Sequence, residues 1–276
     1  MDLLKSLLSD WVILSCVGVA VVLLLVYLGP LRRRSLDKAP HRDPGLQSED
    51  LSIGILLLLL GGSVSGHLAG SLPVECVDMQ YALRQLISQA GQLPLLAYIG
   101  WRSVTRGRGL AALGLVSRRP WRDLGIGVVG LATSLSVVLA VGAMVNQVSI
   151  RWVEPPPQVQ HEMLELVGDP QTSWVAITAM LVSAVMLAPL LEEIIYRGLV
   201  QSALITIGAG HHRWSVVLIA SCWFTLVHTN VTWQGKPGLF VLAICLGWLY
   251  ERTGSLWPSI IVHMGFNAVM FFLVLH

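Results

Sequence analysis

Long apolar runs recur along the whole chain and constrain its fold more than any other feature of the sequence. A helix needs about 20 apolar residues to cross a bilayer. Eight runs approach that length, at residues 11–29, 51–70, 85–104, 124–145, 174–206, 213–228, 238–250 and 256–275. Charged residues make up 12% of the 276 positions, against about 25% in soluble domains. The sequence predicts an all-α, polytopic transmembrane bundle of about eight helices.

No stretch between the runs is long enough to form a separate soluble domain. We therefore expect one continuous membrane domain, in which residues 1–173 form a scaffold with an interfacial loop and residues 174–276 form a core, for which the side chains described below predict a catalytic role. The first run lacks a positive start and is followed by three arginines at 32–34, a stop-transfer pattern rather than a cleavage site. The first run is thus predicted to stay as a membrane helix.

Basic residues are distributed unequally between the two sets of loops, and this predicts the orientation. Thirteen of the 18 fall on one side: Arg32, Arg33, Arg34, Lys38, Arg42, Arg102, Arg106, Arg108, Arg118, Arg119, Arg122, Arg213 and Arg252. Lys5, Arg84, Arg151 and Lys236 fall on the other, and Arg197 lies inside a run. Because cytoplasmic loops carry the excess of Lys and Arg, both termini should face away from the cytoplasm. We read the basic loops as topology signals, not a nucleic-acid site, and expect a bacterial cell membrane.

Two glycine patterns are interpreted as helix-packing faces. Gly62, Gly66 and Gly70 are four residues apart, which places small residues on one helix face. Gly125, Gly127 and Gly130 match GxGxxG, but they open a predicted membrane helix, whereas the dinucleotide fingerprint follows a strand.

The long loop from Asn146 to Ser173 is broken by three prolines at 155–157. After them, Val159, Met163, Leu166 and Val167 recur at helical spacing. This pattern predicts a short amphipathic helix lying on the membrane surface. We interpret it as a connector; a lid over a site is the alternative.

Chemistry-bearing side chains gather in the last third of the chain. They are Glu192, Glu193, Tyr196, Arg197, Phe224, His228, His263 and Asn267. Ionisable residues inside a bilayer are costly and face a cavity or a partner. Glu193 and Arg197 are four residues apart and can pair on one helix face. Pro189 should free the carbonyl of Val185 and kink the helix near the glutamates.

The helical rise gives a first estimate of depth. Counted from the cytoplasmic ends of their helices, Glu192 lies about 21 Å deep and His228 about 22 Å. His263 lies about 10 Å deep, unless its helix tilts or the turn at 252–255 is sunken. A structural polar network remains an alternative, but two carboxylates, two imidazoles and an amide from three segments favour a site that opens toward the cytoplasm.

The motifs Glu192-Glu193-x-x-Tyr196-Arg197-Gly198, Phe224-x-x-x-His228 and His263-x-x-x-Asn267 resemble the CAAX-protease and bacteriocin-processing (CPBP) family of intramembrane proteases. The stretch from Tyr250 to Trp257 resembles that family as well. The resemblance covers roughly residues 174–275 and implies hydrolysis of a peptide bond in or beside the membrane. It implies that Glu192 and Glu193 activate water, that His228 assists, and that His263 and Asn267 bind a metal or stabilise an oxyanion. Arg197, Tyr196 and Phe224 would support them.

A zinc ion is the cofactor that this side-chain set suggests, with Glu192, His228 and His263 as possible ligands. The zinc motif HExxH is absent, because His161-Glu162 is followed by Glu165 rather than by a second histidine. Metal-free catalysis by a glutamate-activated water uses the same side chains. The family resemblance favours the metalloprotease label.

Two other functions fit a buried Glu–His cluster. A proton-coupled transporter uses such groups as a relay, although the two halves of this chain show no internal repeat of the kind many transporters have. A non-proteolytic membrane scaffold would need them for stability alone. The expected partners are membrane lipids and a peptide or membrane-protein substrate.

Overall fold

The computed structural model describes residues 11–28, 35–37, 39–40, 45–73, 76–106, 109–153, 161–208 and 212–275. These ranges contain eleven helices: α1 (Trp11–Leu28), α2 (Ser48–Gly70), α3 (Val77–Ala90), α4 (Leu93–Thr105), α5 (Gly109–Ala112), α6 (Pro120–Trp152), α7 (Glu162–Val167), α8 (Trp174–Ile207), α9 (Arg213–Val227), α10 (Lys236–Thr253) and α11 (Trp257–Leu275). The predicted proline break at 155–157, Val159 and the arginines at 32–34 lie outside the described residues.

The predicted all-α membrane fold is confirmed. Four helices, α2, α6, α8 and α11, are long and apolar enough to cross a bilayer, and the shorter α9 is also apolar. The third predicted run is two helices, because α3 ends at Ala90 and α4 begins at Leu93, with Gly91 and Gln92 between them. Pro94 stands in the first turn of α4, where its missing N–H costs nothing. The described helices therefore do not amount to eight equivalent spans.

α8 is the central helix, 34 residues long, and it is not a regular α-helix. Its segments Val182–Leu187 and Glu193–Gln201 are π-helical, and the residues between and around them are α-helical. π turns inside α-helices are rare, and those that occur are often found at functional sites. The second π segment is buried at eight of its nine positions, surrounded by α2, α4, α9 and α10.

The packing face of α2 differs from the predicted one. Gly62, Gly66 and Gly70 are exposed, and a Cβ at any of them would meet no atom within 4 Å. The contact is made one position earlier, by Gly61 and Ser65: a Cβ on Gly91 would lie 2.6 Å from the Gly61 carbonyl. Spacing alone could not choose between these faces, because the helix is apolar on all sides.

The glycines of α6 pack as predicted at two of three positions. A Cβ on Gly127 would lie 2.7 Å from Ile261 of α11, and one on Gly130 would lie 3.0 Å from Val262. Gly125 faces open space. α6 and α11 therefore approach closely over one turn.

The predicted short helix after the proline break is α7, but it does not lie free on the membrane surface. Met163 and Val167 are buried against Phe271 and Val274 of α11 and against α8. The apolar side of α7 therefore packs against protein side chains. α7 is thus part of the bundle.

The turn between α10 and α11 is sunken into the protein. Ser255 donates to Asp123 Oδ2 at 2.8 Å, and the Leu256 amide donates to the Gly114 carbonyl at 3.0 Å. Leu256 has no exposed surface. We call the end of the bundle formed by residues 114–123 and 251–257 the Asp123 face, and the opposite end, formed by residues 161–173 and 228–236, the His161 face.

Exposed tryptophans mark the two faces. Trp121 is 83% exposed at the start of α6, on the Asp123 face. Trp152 is 80% exposed at the end of α6, and Trp174 is 77% exposed at the start of α8, on the opposite face. Tryptophan is enriched at both membrane–water interfaces, so these rings indicate where the bilayer meets the bundle.

A second buried charge cluster, which the sequence did not reveal, joins α2 to α4. Asp50 has no exposed surface and accepts from the Tyr98 hydroxyl and from Arg102 Nε, each at 2.6 Å. The backbone amide of Gln47 donates to its other oxygen at 2.8 Å. These three donors come from α4 and from Gln47, which directly precedes α2, so the carboxylate connects the two helices.

We expect Asp50→Ala to lower the free energy of unfolding by about 2–4 kcal/mol, because three donors lose their acceptor at a buried position. Thermal or SDS-induced unfolding in detergent measures the change. Glu49→Ala is the matched control, since its side chain is 55% exposed. Equal stability of the two variants would show that the cluster does not hold α2 to α4.

Cys76 reports the orientation. Cys76 is exposed immediately before α3. The nearby Asp78 accepts a hydrogen bond from Ser173 of the His161 face, so Cys76 lies on that face as well. If the termini face away from the cytoplasm, a membrane-impermeant maleimide should label intact cells at Cys76, and Cys76→Ser should abolish that labelling. Labelling that appears only after lysis would reverse the predicted orientation.

Candidate active site

Three helices bring the predicted side chains together in the middle of the bundle. α8 carries Glu192 and Glu193, His228 follows the last residue of α9, and α11 carries His263. Glu193 Oε1 lies 3.0 Å from His263 Nδ1, although the two residues are 70 positions apart in the chain. The cluster predicted from spacing is thus present as a spatial cluster.

Glu193 is a buried carboxylate held by two partners. Its Oε1 lies 3.0 Å from Arg197 Nη1, one turn along α8, in an ion pair whose side chains are 0% and 2% exposed. Arg197 Nη2 donates to the Ala243 carbonyl of α10 at 3.2 Å. The other oxygen, Oε2, is buried and has no hydrogen-bond partner among the described residues. The predicted Glu193–Arg197 pair therefore also ties α8 to α10 and α11.

Glu192 lies in a more open environment and faces both imidazoles. Its side chain is 20% exposed, and its Oε2 lies 3.7 Å from His228 Nε2 and 3.8 Å from His263 Nε2. Both distances exceed a direct hydrogen bond. Adjacent positions on a helix point about 100° apart, so the two neighbouring glutamates face different partners. Oε2 of Glu192 and the two Nε2 atoms therefore converge on one small space.

Phe224 holds this cluster from one side. Its ring is fully buried and lies 4.3 Å from the His228 ring, 5.9 Å from the His263 ring and 5.0 Å from the Tyr196 ring, centroid to centroid. Arg197 lies over the same ring at 4.8 Å, a cation–π distance. Phe224 thus packs against both imidazoles, Tyr196 and Arg197.

Asn267 contacts the backbone of α8. Its Nδ2 donates to the Ala184 carbonyl at 2.7 Å, and it has no hydrogen bond to His263 in the part of the chain that the structure describes. The Ala188 amide bonds to the Ser183 carbonyl, five residues back. Continued by one residue, this π register would pair the Pro189 nitrogen with Ala184, and proline has no N–H to donate. The free carbonyl is therefore Ala184 rather than the predicted Val185.

His263 lies level with the glutamates, as the predicted alternative of a sunken turn allowed, and the helical rise counted from Ser255 alone gave too small a depth. The sunken turn at 254–257 starts α11 deeper in the bundle than the count assumed. The side on which the site opens stays a prediction. His228 directly follows α9 on the His161 face, beside the loop that the charge distribution assigned to the exterior.

Two residues near the site, His161 and Asn230, were missed by the sequence analysis. His161 Nε2 lies 3.1 Å from the Asn230 side-chain amide, and its Nδ1 accepts from the Met163 amide at 3.1 Å. Burial, and secondarily the nearby His228, lowers the pKa of His161 to about 4. The only sequence signal was a histidine directly before a short amphipathic helix.

The predicted zinc ligands were compared with this geometry. Glu192, His228 and His263 have the donor types that zinc prefers. Among the described residues, however, no group of three or more His, Cys, Asp or Glu side chains is arranged so that it could hold a metal ion. Zinc binding by Glu192, His228 and His263 therefore stays a prediction, and we derive no step through a metal.

Comparisons with known proteins agree with the resemblance. Residues 174–269 match the family model described as "Type II CAAX prenyl endopeptidase Rce1-like". A segment of 91 residues is 36% identical to "UPF0177 protein YaiF" of Lactococcus lactis subsp. lactis (strain IL1403), covering 33% of this chain and 38% of that protein. The chain thus spans less than two-fifths of the length of this curated relative. No solved structure matches the chain significantly.

Fold and site define a helical integral membrane protein with a buried cluster of carboxylates and imidazoles. Its segment 174–269 matches the Rce1-like family model, which agrees with the resemblance to the CPBP proteases. This segment contains all eight predicted site residues.

We expect Asn267→Leu to destabilise the protein by about 1–3 kcal/mol, because the Ala184 carbonyl loses its donor inside the bundle. Pro189→Ala restores an amide N–H next to that carbonyl, so the same Asn267→Leu change should cost less in the Pro189→Ala background. Unfolding measurements on the four proteins of this cycle give the coupling. Full stability of Asn267→Leu together with lost cleavage would instead assign Asn267 to the chemistry.

Proposed function

We propose that this protein is a CAAX-type intramembrane endopeptidase that hydrolyses a peptide bond of a membrane-associated protein or peptide with a glutamate-activated water. One observation carries the proposal: the Nε2 atoms of His228 and His263, from two helices, both face Oε2 of Glu192 from a third. A purely structural network would be expected to close these gaps into direct hydrogen bonds. Here the separations stay at 3.7 and 3.8 Å, and we propose that the reacting water sits against these three atoms.

The two glutamates have different roles in this mechanism. Glu192 is the general base, because it is the more exposed and none of its contacts is a short ion pair. Glu193 is a positioning residue, because its Oε1 is shared between Arg197 and His263. Neighbouring carboxylates in different environments are a common way to separate such roles.

The hydrogen bonds of the two imidazoles fix their tautomers. His228 Nδ1 lies 2.6 Å from the Phe224 carbonyl, which can only accept, so Nδ1 carries the proton. His263 Nδ1 faces the carboxylate of Glu193 and carries its proton for the same reason. In their neutral forms both rings therefore present a bare Nε2 toward Glu192.

The chemistry follows from this arrangement. Glu192 takes a proton from the water as the water oxygen attacks the substrate carbonyl, and the tetrahedral intermediate forms. For one imidazole to stabilise the oxyanion, it takes up a proton at Nε2 from solvent before the attack. It then donates a hydrogen bond from Nε2–H to the oxyanion and keeps that proton when the intermediate collapses. The proton held by Glu192 passes to the departing amine nitrogen, which completes hydrolysis. Arg197 and Phe224 act only by holding Glu193, His228 and His263 in place.

The substrate is proposed as a membrane-associated peptide, with membrane lipids as the surrounding partner. The description of the matched family model names CAAX prenyl endopeptidases, so CaaX-ended peptides, with and without a prenyl group, are the first candidates. We propose a bacterial cell membrane as the location. Zinc, if bound by the Glu192–His228–His263 set, would act as a Lewis acid and lower the pKa of water. Without zinc, Glu192 and the two imidazoles act as described above.

The test is cleavage of a membrane-peptide library, which includes these CaaX-ended peptides, by the purified protein in detergent. Glu192→Gln should lower kcat by at least about 100-fold, the usual contribution of a general base. Glu162→Gln is the matched control, because it changes an exposed glutamate on α7 and should leave kcat unchanged. A zinc-chelator arm tests the metal directly.

The possible results separate the hypotheses. Specific cleavage that is lost in Glu192→Gln and kept in Glu162→Gln supports the peptidase. Equal cleavage by the two variants assigns the activity to a contaminant. No cleavage by folded wild-type protein, together with proton flux in proteoliposomes that Glu193→Gln abolishes, would replace the peptidase with a transporter.

A further inference from the structure

α7 connects the two elements that carry the site imidazoles. Its residues Met163 and Val167 are buried against Phe271 and Val274, on the same helix as His263. Its first residue, Glu162, donates its backbone amide to the Asn230 carbonyl at 3.4 Å, two positions after His228. One six-residue helix therefore contacts both α11 and the turn that follows α9.

The ring of His228 bonds to the Phe224 carbonyl of α9, but its backbone lies outside that helix and belongs to the turn. α9 ends at Val227, and His228 has non-helical dihedral angles of φ −79° and ψ 74°. The turn that follows is short: the Val231 amide donates to the His228 carbonyl at 3.3 Å. Val231 in turn forms an isolated antiparallel bridge with His161. The backbone of His228 is thus braced from outside its own helix.

The side chains of His161 and Asn230 lock this brace. His161 Nδ1 accepts from the Met163 amide, so Nδ1 is the unprotonated nitrogen and Nε2 carries the proton. Nε2 then donates to the Asn230 side-chain amide 3.1 Å away, and the atom that accepts must be the amide oxygen. The oxygen and nitrogen of an asparagine amide are told apart by such hydrogen-bond logic, so the amide is flipped by about 180° from the orientation in which Nδ2 faces His161. The low pKa of His161 keeps the ring neutral, as this arrangement requires.

We propose that His161 is a positioning residue of the candidate active site, which acts through Asn230 to set the distance of the His228 imidazole from Glu192 and His263. This inference rests on the proposed function for its kinetic consequence. It assigns a role to the loop before α8, which the sequence analysis interpreted as a plain connector. The His161–Asn230 hydrogen bond lies outside the three sequence motifs from which the active-site cluster was predicted.

The test compares His161→Asn, Asn230→Ala, their double variant and the control Glu162→Gln. Asparagine is a preferred N-cap residue, so His161→Asn keeps an acceptor for the Met163 amide while its shorter side chain no longer reaches Asn230. Each single variant should lower kcat by about 10- to 100-fold with KM unchanged, because a misplaced catalytic group costs rate rather than binding. The double variant should be no slower than either single variant, because each single variant already removes the same His161–Asn230 hydrogen bond.

A second measurement does not need peptidase activity. The rate at which diethyl pyrocarbonate modifies His228, followed by mass spectrometry, reports how firmly the ring is held against Phe224. It should rise in His161→Asn and in Asn230→Ala and stay at the wild-type value in Glu162→Gln.

The outcomes distinguish the two proposals. If wild type cleaves no peptide but the modification rate rises in both variants, the proposed function fails and the positioning role stands. If both variants keep wild-type kcat or wild-type modification rates, the positioning role is wrong whatever the protein cleaves. Losses that multiply in the double variant would also overturn it, because His161 and Asn230 would then act separately.

Discussion

The carboxylate of Glu193 has no exposed surface and sits on the central helix of a membrane bundle. A charge in that position must be paired, and breaking a buried pair costs about 3–5 kcal/mol. Arg197 supplies the pair, but it is itself 2% exposed and needs partners of its own. It finds them in the Ala243 carbonyl and the Phe224 ring. One buried charge thus ties α8 to α9 and α10, and through His263 to α11.

The same constraint acts on the backbone of α8. Inside a membrane every peptide group must find a partner within the protein, and Pro189, which has no N–H, leaves the Ala184 carbonyl without a donor from its own helix. Asn267 donates to Ala184, and Gln89 donates to the Ser183 hydroxyl at 2.7 Å and to the Ser183 carbonyl at 3.2 Å. An irregular helix therefore holds α3 and α11 at defined positions on either side of it. The position of His263 against the glutamates is a consequence of this.

The site combines a rigid half and a more open half. Glu193, Arg197 and Phe224 form the rigid half, closed to solvent and fixed by pairs on three helices. Glu192 and His228 form the open half, each about one-fifth exposed, and His228 lies beyond the end of its helix. A site that must admit a substrate needs such an asymmetry, because a fully paired cluster has no free group with which to react.

The sequence by itself determined the membrane class, the position of most helices and the side chains that meet in the site. Apolar runs and motif spacing are local properties. In a regular helix they determine how long the helix is and which side chains lie on the same side of it. They could not choose Gly61 over Gly62 on a helix that is apolar all round, nor place His263 level with Glu193 when the start of α11 is sunken. They also gave no reason to connect His161 with Asn230, 69 positions away. Only the tertiary structure decided these points, because tilt, register and contacts between distant segments depend on how the helices pack together.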